Sequence, residues 1–305
     1  MNFQKKLSQD KLDVLNKTRT NLFDWRGQFT PQFVEYMLAN YTNKGDVVVD
    51  PFAGSGTVLH ECAYRNLKCI GMEINPSAFA MSKFFSFTNL KPNERINYFQ
   101  EVERKIDSLK PKYEKLPMYT KQTSHRQSYE HLIKFASELL SLVANTHESI
   151  IALNILFLCE KSRCSDFNIM IRKALTYIYD ALLMLPFTEL QIDAILSDAR
   201  LSHKLGLDYA DLILTSPPYI NVFNYHQNYR SIIECTGWDI LKVAQSEFGS
   251  NRKHRSNRFM TVVQYCLDME QSLISFWQLL KNDGYMIMVV GKESNVRHTP
   301  FYNGS

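Results

Sequence analysis

"KGDVVVDPFAGSGT", residues 44–57, places three consecutive valines directly before an acidic residue and a turn that contains Gly54 and Gly56. β-Branched residues favour a strand, and glycine lets the backbone turn tightly and approach a ligand closely. The next segments, "VLHECAYRN" (58–66) and "LKCIGMEIN" (67–75), are typical of a helix and of a second strand that ends at Glu73. The stretch therefore predicts a βαβ unit whose two strands run parallel.

The glycines and acidic residues of this unit indicate the kind of ligand. A dinucleotide-binding loop would need a third glycine where Leu59 stands, and a P-loop would need a lysine after the glycines. An acidic residue at the end of the second strand can bind both ribose hydroxyls of a nucleoside. The loop alone would also suit a structural turn, and Glu73 alone a solvated strand end. Together they favour an adenosine-type cofactor without a pyrophosphate, and S-adenosylmethionine fits.

The rest of the chain extends this unit into a larger sheet. We expect five parallel strands near 46–50, 68–73, 193–197, 211–215 and 284–291. Helical periodicity predicts helices at 77–88, 93–108, 129–144, 148–161, 167–184 and 261–280. The expected fold class is α/β, a doubly wound Rossmann-like sheet with a large helical insertion. Residues 1–85 and 191–305 would form the two parts of the core, and 86–190 the insertion.

Composition narrows the class of protein. The net charge of +4 permits a nucleic-acid partner without requiring one. The six cysteines show neither a Cys-x-x-Cys pair nor zinc-type His spacing, which predicts reduced core thiols and no metal site. No apolar run approaches the ~20 residues of a membrane span, and the charged N-terminus lacks a signal-type segment. The sequence predicts a cytoplasmic protein.

A second motif lies in "DLILTSPPYINVFNYH", residues 211–226, where a buried strand leads into Ser216, Pro217, Pro218 and Tyr219. With "DPFAGSGT", this "TSPPY" resembles the amino-methylating DNA methyltransferases, which act on cytosine N4 or adenine N6. The resemblance covers roughly 22–85 and 193–295, and "WRGQFTPQFVEYML" and "SDARL" belong to it. It implies these cofactor-binding residues: Gln28, Phe29, Thr30, Asp50, Phe52, Ala53, Gly54, Ser55, Gly56, Thr57, Glu73, Ile74, Asp198 and Ala199.

The chemistry of amino methylation explains the Ser-Pro-Pro-Tyr loop. An exocyclic amine is a poor nucleophile because its lone pair is delocalised into the base. Two acceptors on its N–H bonds, the Ser216 hydroxyl oxygen and the Pro217 carbonyl, can free that lone pair, and the prolines fix φ and aim the carbonyl outward. Tyr219 would stack on a base flipped out of the duplex. Phe223 and Tyr225 would either add aromatic surface beside Tyr219 for the base or pack as core residues under the loop.

The expected partner is double-stranded DNA. "SNRKHRSNR" (250–258) supplies Arg252, Lys253, Arg255 and Arg258, which can neutralise phosphates, although such a run is also typical of a solvated loop. "KQTSHRQ" (121–127) is a second candidate. The helical insertion could hold the target recognition region, or be a lid or oligomer surface.

The first residue of the Ser-Pro-Pro-Tyr loop indicates the target base. In the family that this sequence resembles, Ser is usual at that position in N4-cytosine enzymes, and Asp or Asn in adenine enzymes. Ser216 therefore predicts cytosine N4, with adenine N6 as the alternative. An RNA base methyltransferase and a non-catalytic nucleic-acid-binding subunit stay open. A restriction–modification role with a cognate endonuclease is expected.

"KESNVRHTPFYNGS" (292–305) is too short for the family's C-terminal hairpin, so a second polypeptide or a missing segment is expected to complete the sheet.

Overall fold

The computed structural model describes residues 7–15, 17–114, 125–162, 164, 166–206, 208–219, 225–244, 246–248, 258–291, 293–296 and 299–302. The chain divides into two compact units. The sheet unit comprises residues 1–86, 188–225 and 244–305, and the helical unit comprises 87–187 and 226–243.

A five-stranded parallel sheet forms the centre of the sheet unit. Its strands are β1 (Val47–Asp50), β2 (Lys68–Glu73), β3 (Ile192–Leu196), β4 (Ala210–Thr215) and β5 (Leu280–Met288), in the order β3-β2-β1-β4-β5. All neighbouring pairs are parallel, which confirms the expected fold class and its five strands. The order reverses direction at β1, and ligands of such sheets bind at the carboxyl ends of the strands beside that point.

The longer helices follow the predicted positions, whereas two short helices at 230–234 and 240–243 were not predicted. In chain order they are α1 (Gln9–Asp13), α2 (Pro31–Tyr41), α3 (Thr57–Tyr64), α4 (Pro76–Lys83), α5 (Pro92–Glu114), α6 (His125–Leu142), α7 (Thr146–Lys161), α8 (Phe167–Met184), α9 (Arg230–Glu234), α10 (Ile240–Val243) and α11 (Arg258–Leu279). A 3₁₀ helix, Phe84–Asn89, continues α4, and another, Ala199–Leu205, follows β3. Within the described ranges, no helix combines the length and apolar character that a membrane crossing requires.

One hydrophobic cluster of the sheet unit lies between the sheet and α11. Val49 and Ile213 pair in register on β1 and β4, and both are buried with Phe276 and Leu279 of α11. Burial of each such side chain contributes about 1.5–3 kcal/mol. This packing fixes the carboxyl ends of β1 and β4 side by side.

In the helical unit, side chains cap the amino ends of α7 and α8. Asn145 accepts a hydrogen bond from the Glu148 N–H at 3.0 Å at the start of α7. Asp166 accepts one from the Ile169 N–H at 3.0 Å at the start of α8. Each such cap stabilises its helix by about 1 kcal/mol. These caps explain why α7 and α8 begin where they do.

The expectation about the segment after the fifth strand was wrong in one respect. Residues Glu293–Val296 (β6) and Thr299–Tyr302 (β7) pair as an antiparallel hairpin, with Val296 opposite Thr299. A two-residue connection suffices for a hairpin, so fourteen residues are enough. The hairpin forms a sheet of its own, and in the part of the chain that the structure describes, β5 is an edge strand of the larger sheet.

Candidate functional site

A cleft opens at the carboxyl ends of β1, β2 and β4, at the point where the strand order reverses. Its empty space, open solvent included, is about 780 Å³, and its place at the strand ends is where ligands of such sheets bind. Five parts of the sheet unit line it: residues 25–29, the loop after β1, the end of β2, the loop after β4, and a group formed by Tyr225, Glu247 and Phe248.

The glycine loop after β1 forms one wall of the cleft. Gly54 and Gly56 have φ of +52° and +89°, a conformation that favours glycine. A Cβ at Gly56 would lie 2.8 Å from the Ser82 Cα, so a side chain there would collide with backbone. The Ala53 N–H donates to the Met72 carbonyl at 2.9 Å. The loop is therefore held against β2 and keeps its backbone close to the cleft.

Glu73 joins the glycine loop to the end of β2. Its carboxylate accepts hydrogen bonds from the Gly54 N–H at 2.9 Å and from the Asn75 N–H at 2.8 Å, one on each oxygen. Burial raises the pKa of Glu73 to about 7, and the nearby carboxyls of Glu247 and Asp50 act in the same direction, against the two N–H donors. Glu73 therefore offers the cleft an acceptor whose orientation is fixed.

Asp50 connects the glycine loop to β4. It is buried, and its Oδ1 accepts from the Thr215 hydroxyl at 2.6 Å and from the Phe52 N–H at 3.1 Å. Burial raises the pKa of Asp50 to about 7. Because Thr215 directly precedes Ser216, this contact sets the glycine loop and the Ser-Pro-Pro-Tyr loop at a fixed separation.

The Ser-Pro-Pro-Tyr loop forms the opposite wall. All four of its residues, Ser216, Pro217, Pro218 and Tyr219, line the cleft. The Ser216 hydroxyl donates to the Val289 carbonyl at 3.2 Å, which directs its proton toward the end of β5. With its proton used in this way, the hydroxyl oxygen can act as an acceptor toward the cleft.

The segment before α2 covers a third side of the cleft, through Trp25, Gln28 and Phe29 among others. Asn21 closes this segment by donating to the Phe29 carbonyl at 2.8 Å and accepting from the Thr57 hydroxyl at 3.1 Å. The Trp25 ring stacks on Tyr225 with centroids 5.9 Å apart and planes 18° from parallel. The segment is thus attached both to α3 and to the residues that follow the Ser-Pro-Pro-Tyr loop.

The structure brings most of the predicted site residues to this cleft. Those that line it are Gln28, Phe29, Asp50, Phe52, Ala53, Gly54, Thr57, Glu73, Ile74, Ser216, Pro217, Pro218 and Tyr219. Ser55 and Gly56 lie in the same loop, where Ser55 hydrogen-bonds to Gln28. Thr30 is the N-cap residue of α2.

Asp198 and Ala199 lie next to the cleft without lining it. Asp198 accepts hydrogen bonds from the Arg200 N–H and side chain, at 2.9 Å each, and Ala199 is buried in the core under β1 and β4. Arg252, Lys253, Arg255, Phe223 and positions 121–124 are outside the residues that the structure describes, and Arg258 is described only as the start of α11.

Six cleft residues were not among the predicted site residues: Trp25, Arg26, Gly27, Asn75, Glu247 and Phe248. Residues 25–27 directly precede the predicted Gln28, and Asn75 directly follows the predicted Ile74. Glu247 and Phe248 follow α10 in a segment without a periodic pattern, so no sequence signal marks them. In the described part of the chain, no group of three or more His, Cys, Asp or Glu side chains could hold a metal ion.

The raised pKa values of Asp50 and Glu73, each about 7, predict a pH dependence of stability. Both groups hold protons in the folded state at a pH at which the unfolded chain releases them. The free energy of unfolding should therefore fall from about pH 5 to pH 7, by up to about 1.4 kcal/mol per pH unit for each group. Asp50→Asn retains the acceptor oxygen but does not titrate, so urea unfolding of this variant should show a flatter profile. Identical profiles would contradict the assignment for Asp50.

Comparison with known proteins finds one family and two relatives that resemble part of this chain. Residues 4–84 match the family described as DNA methylase, of the N6 and N4 type. Type II methyltransferase M.MjaII of Methanocaldococcus jannaschii is 46% identical over 72 residues, which are 23% of this chain and 14% of that protein. Type II methyltransferase M.HpaI of Haemophilus parainfluenzae is 43% identical over 49 residues, 16% of each chain. The matches thus span about a sixth or less of these relatives. No solved structure matches the chain.

Proposed function

We propose that this chain, whose residues 4–84 match the family described as DNA methylase, transfers a methyl group from S-adenosylmethionine to an exocyclic amine of a DNA base. The observation that carries the proposal is one cleft with two different walls. The glycine loop and Glu73 form one, and Ser216 with Pro217 forms the other. A nucleoside cofactor and an amine can therefore meet in the same space.

The cleft residues fit S-adenosylmethionine. Glu73 supplies an acceptor for ribose hydroxyls, as acidic residues at this position do in related sheets. Phe52, Ile74 and Phe248 supply an apolar wall on which an adenine ring can stack. When bound, the cofactor supplies a sulfonium methyl group that an amine nitrogen can attack.

The residues of the Ser-Pro-Pro-Tyr loop would prepare the amine. The Ser216 oxygen and the Pro217 carbonyl accept hydrogen bonds from the two N–H groups of the amine. These hydrogen bonds shift the nitrogen toward tetrahedral geometry and free its lone pair. Tyr219 stacks on the flipped base, and base–aromatic stacking of about 1–3 kcal/mol offsets much of the cost of unstacking. Transfer is direct, so the chain needs to position and hydrogen-bond the reactants rather than form a covalent intermediate.

We propose cytosine N4 as the acceptor, with adenine N6 as the alternative. Ser216 offers a neutral oxygen, which either amine could use, and the preference for cytosine comes from the resemblance of the Ser-Pro-Pro-Tyr loop to N4 enzymes. The names of the two relatives, both type II methyltransferases, support a restriction–modification role with a cognate endonuclease. An RNA base and a non-catalytic subunit are the remaining alternatives.

DNA contacts are proposed for two parts of the chain. The basic loop with Arg252, Lys253, Arg255 and Arg258 would neutralise phosphates. The helical insertion between β2 and β3 would hold the target recognition region, with a lid or an oligomer surface as the alternative. A second polypeptide or a further segment beside β5 is likewise part of the proposal, because an open strand edge favours pairing.

Methyl transfer from labelled S-adenosylmethionine tests this function. The chain should label double-stranded DNA and leave transfer RNA unlabelled. Labelling of RNA alone would replace the DNA assignment, and labelling of neither, by a chain that binds the cofactor and DNA, would favour the non-catalytic subunit.

Glu73→Ala tests the cofactor site. Above its raised pKa of about 7, Glu73 is a charged acceptor. At about pH 8 the change removes that acceptor and leaves the Gly54 and Asn75 N–H groups without their partner, so S-adenosylmethionine affinity should fall by about 1.5–3 kcal/mol, or roughly 10- to 150-fold. Isothermal titration calorimetry measures this. Glu35→Ala is the matched control, since this exposed carboxylate lies on α2 and pairs with Arg19. Equal affinities for wild type and Glu73→Ala, with the fold intact, would end the assignment.

A further inference from the structure

The wall that contains Phe248 is held in place by a side chain outside the cleft. Phe248 is 6% exposed, and its ring meets Phe52 edge-on at 5.1 Å. Residues 246–248 belong to neither a helix nor a strand, so their position depends on side-chain contacts.

Arg200 makes those contacts. Its guanidinium carbon lies 5.3 Å from the centre of the Phe248 ring, within the range of a cation–π interaction. Its Nη2 donates to the Ser246 carbonyl at 3.4 Å. Arg200 thus contacts the segment on both sides of Glu247, which itself accepts from the Asn75 side chain at 3.0 Å.

Two aspartates fix the Arg200 side chain. The Arg200 Nε–H donates to the two carboxylate oxygens of Asp198 at 2.9 and 3.0 Å. The Arg200 Nη1 donates to the Asp268 carboxylate on α11 at 2.6 Å. The Asp268 side chain is 7% exposed and that of Asp198 17%, so both carboxylates are largely removed from water. Charge-assisted hydrogen bonds to an aspartate on each side fix the orientation of the Arg200 guanidinium plane.

We propose that Phe248 binds the nucleoside part of the cofactor and that Arg200 is its positioning residue, held by Asp198 and Asp268. This inference rests on the proposed function. It also assigns a role to the "SDAR" segment that differs from the expected one. Asp198 acts on the cleft through Arg200 and Phe248, whereas the resemblance implied that it binds the cofactor itself.

Binding of adenosine and S-adenosylhomocysteine, measured by calorimetry, tests the proposal. Phe248→Ala should weaken both about tenfold or more, as loss of a stacking ring does. Arg200→Met should weaken both about fivefold. In the Phe248→Ala background, Arg200→Met should have no further effect, because a residue that acts through Phe248 has nothing left to position.

Two further variants keep the test decisive. Lys281→Met breaks an ion pair with Asp211, at 2.8 Å, near the amino ends of β4 and β5, and should bind both ligands as wild type does. Arg200→Lys keeps a cation between the aspartates and supports the fold, and it should show part of the loss. Wild-type affinity in the Arg200 variants, or additive losses in the double variant, would overturn this inference alone. A wild-type chain that binds neither ligand would overturn the proposed function as well.

Discussion

Ser216→Ala is expected to lower the rate of methyl transfer by about 10²–10³-fold, the usual cost of removing one hydrogen-bonding group that acts in a transition state. The Ser216 oxygen is one of the two acceptors that we propose for the amine. Its hydroxyl bond to the Val289 carbonyl at 3.2 Å is a single partly buried contact, worth about 1 kcal/mol to stability. The folded state and the affinity for S-adenosylmethionine should therefore change little.

Single-turnover kinetics with saturating cofactor and DNA measure this effect separately from binding. Ser275→Ala is a control outside the cleft, because the Ser275 hydroxyl is buried and contacts Ser202 at 2.8 Å. The control should transfer methyl groups at the wild-type rate. Full activity of Ser216→Ala would exclude this hydroxyl from the reaction.

Arg95→Met is expected to lower the free energy of unfolding by roughly 3–5 kcal/mol. Arg95 is fully buried in the helical unit. Its guanidinium donates to the carbonyls of Leu90, Leu185 and Pro186 at 2.6–2.8 Å and to that of Leu182 at 3.1 Å. Three of these carbonyls lie at the C-terminal end of α8, where a cation is favoured by the helix dipole. Methionine fills a similar volume but leaves the carbonyls without a donor.

Urea unfolding followed by circular dichroism measures the loss. Arg104→Met on the same helix is the control, since the Arg104 side chain is 69% exposed and its replacement should change stability by less than about 0.5 kcal/mol. If the two variants were equally stable, the carbonyl contacts of Arg95 would not contribute to the fold.

The parts of the molecule that the sequence predicts are those with local causes. The valine run, the glycine turn and the strand to Glu73 form one unit within thirty residues, and each property needed for it is visible in consecutive residues. The same holds for Ser216 to Tyr219, which directly follow a buried apolar strand. Once both loops are assigned to strand ends, a parallel sheet brings them to one edge.

What the sequence did not predict depends on contacts between distant positions. Asn75 and Glu247 are 172 residues apart, and Arg200 and Asp268 are 68 apart. Neither pair has a sequence pattern of its own, because each residue taken alone is a common surface polar residue, and only the fold buries Asn75 and Asp268. The C-terminal hairpin was missed for a different reason. The prediction considered only strands that would complete the sheet, whereas β6 and β7 pair with each other and not with the sheet.

Mass spectrometry of enzymatically digested DNA, after incubation with this chain and S-adenosylmethionine, shows whether the chain methylates an exocyclic amine of DNA. We expect a methylated nucleoside whose mass and retention identify N4-methylcytosine, present with the wild-type chain and absent with Ser216→Ala. N6-methyladenine would replace the base assignment and leave the amine chemistry standing. DNA without any amino-methylated base, from a chain that binds both the cofactor and DNA, would contradict the account.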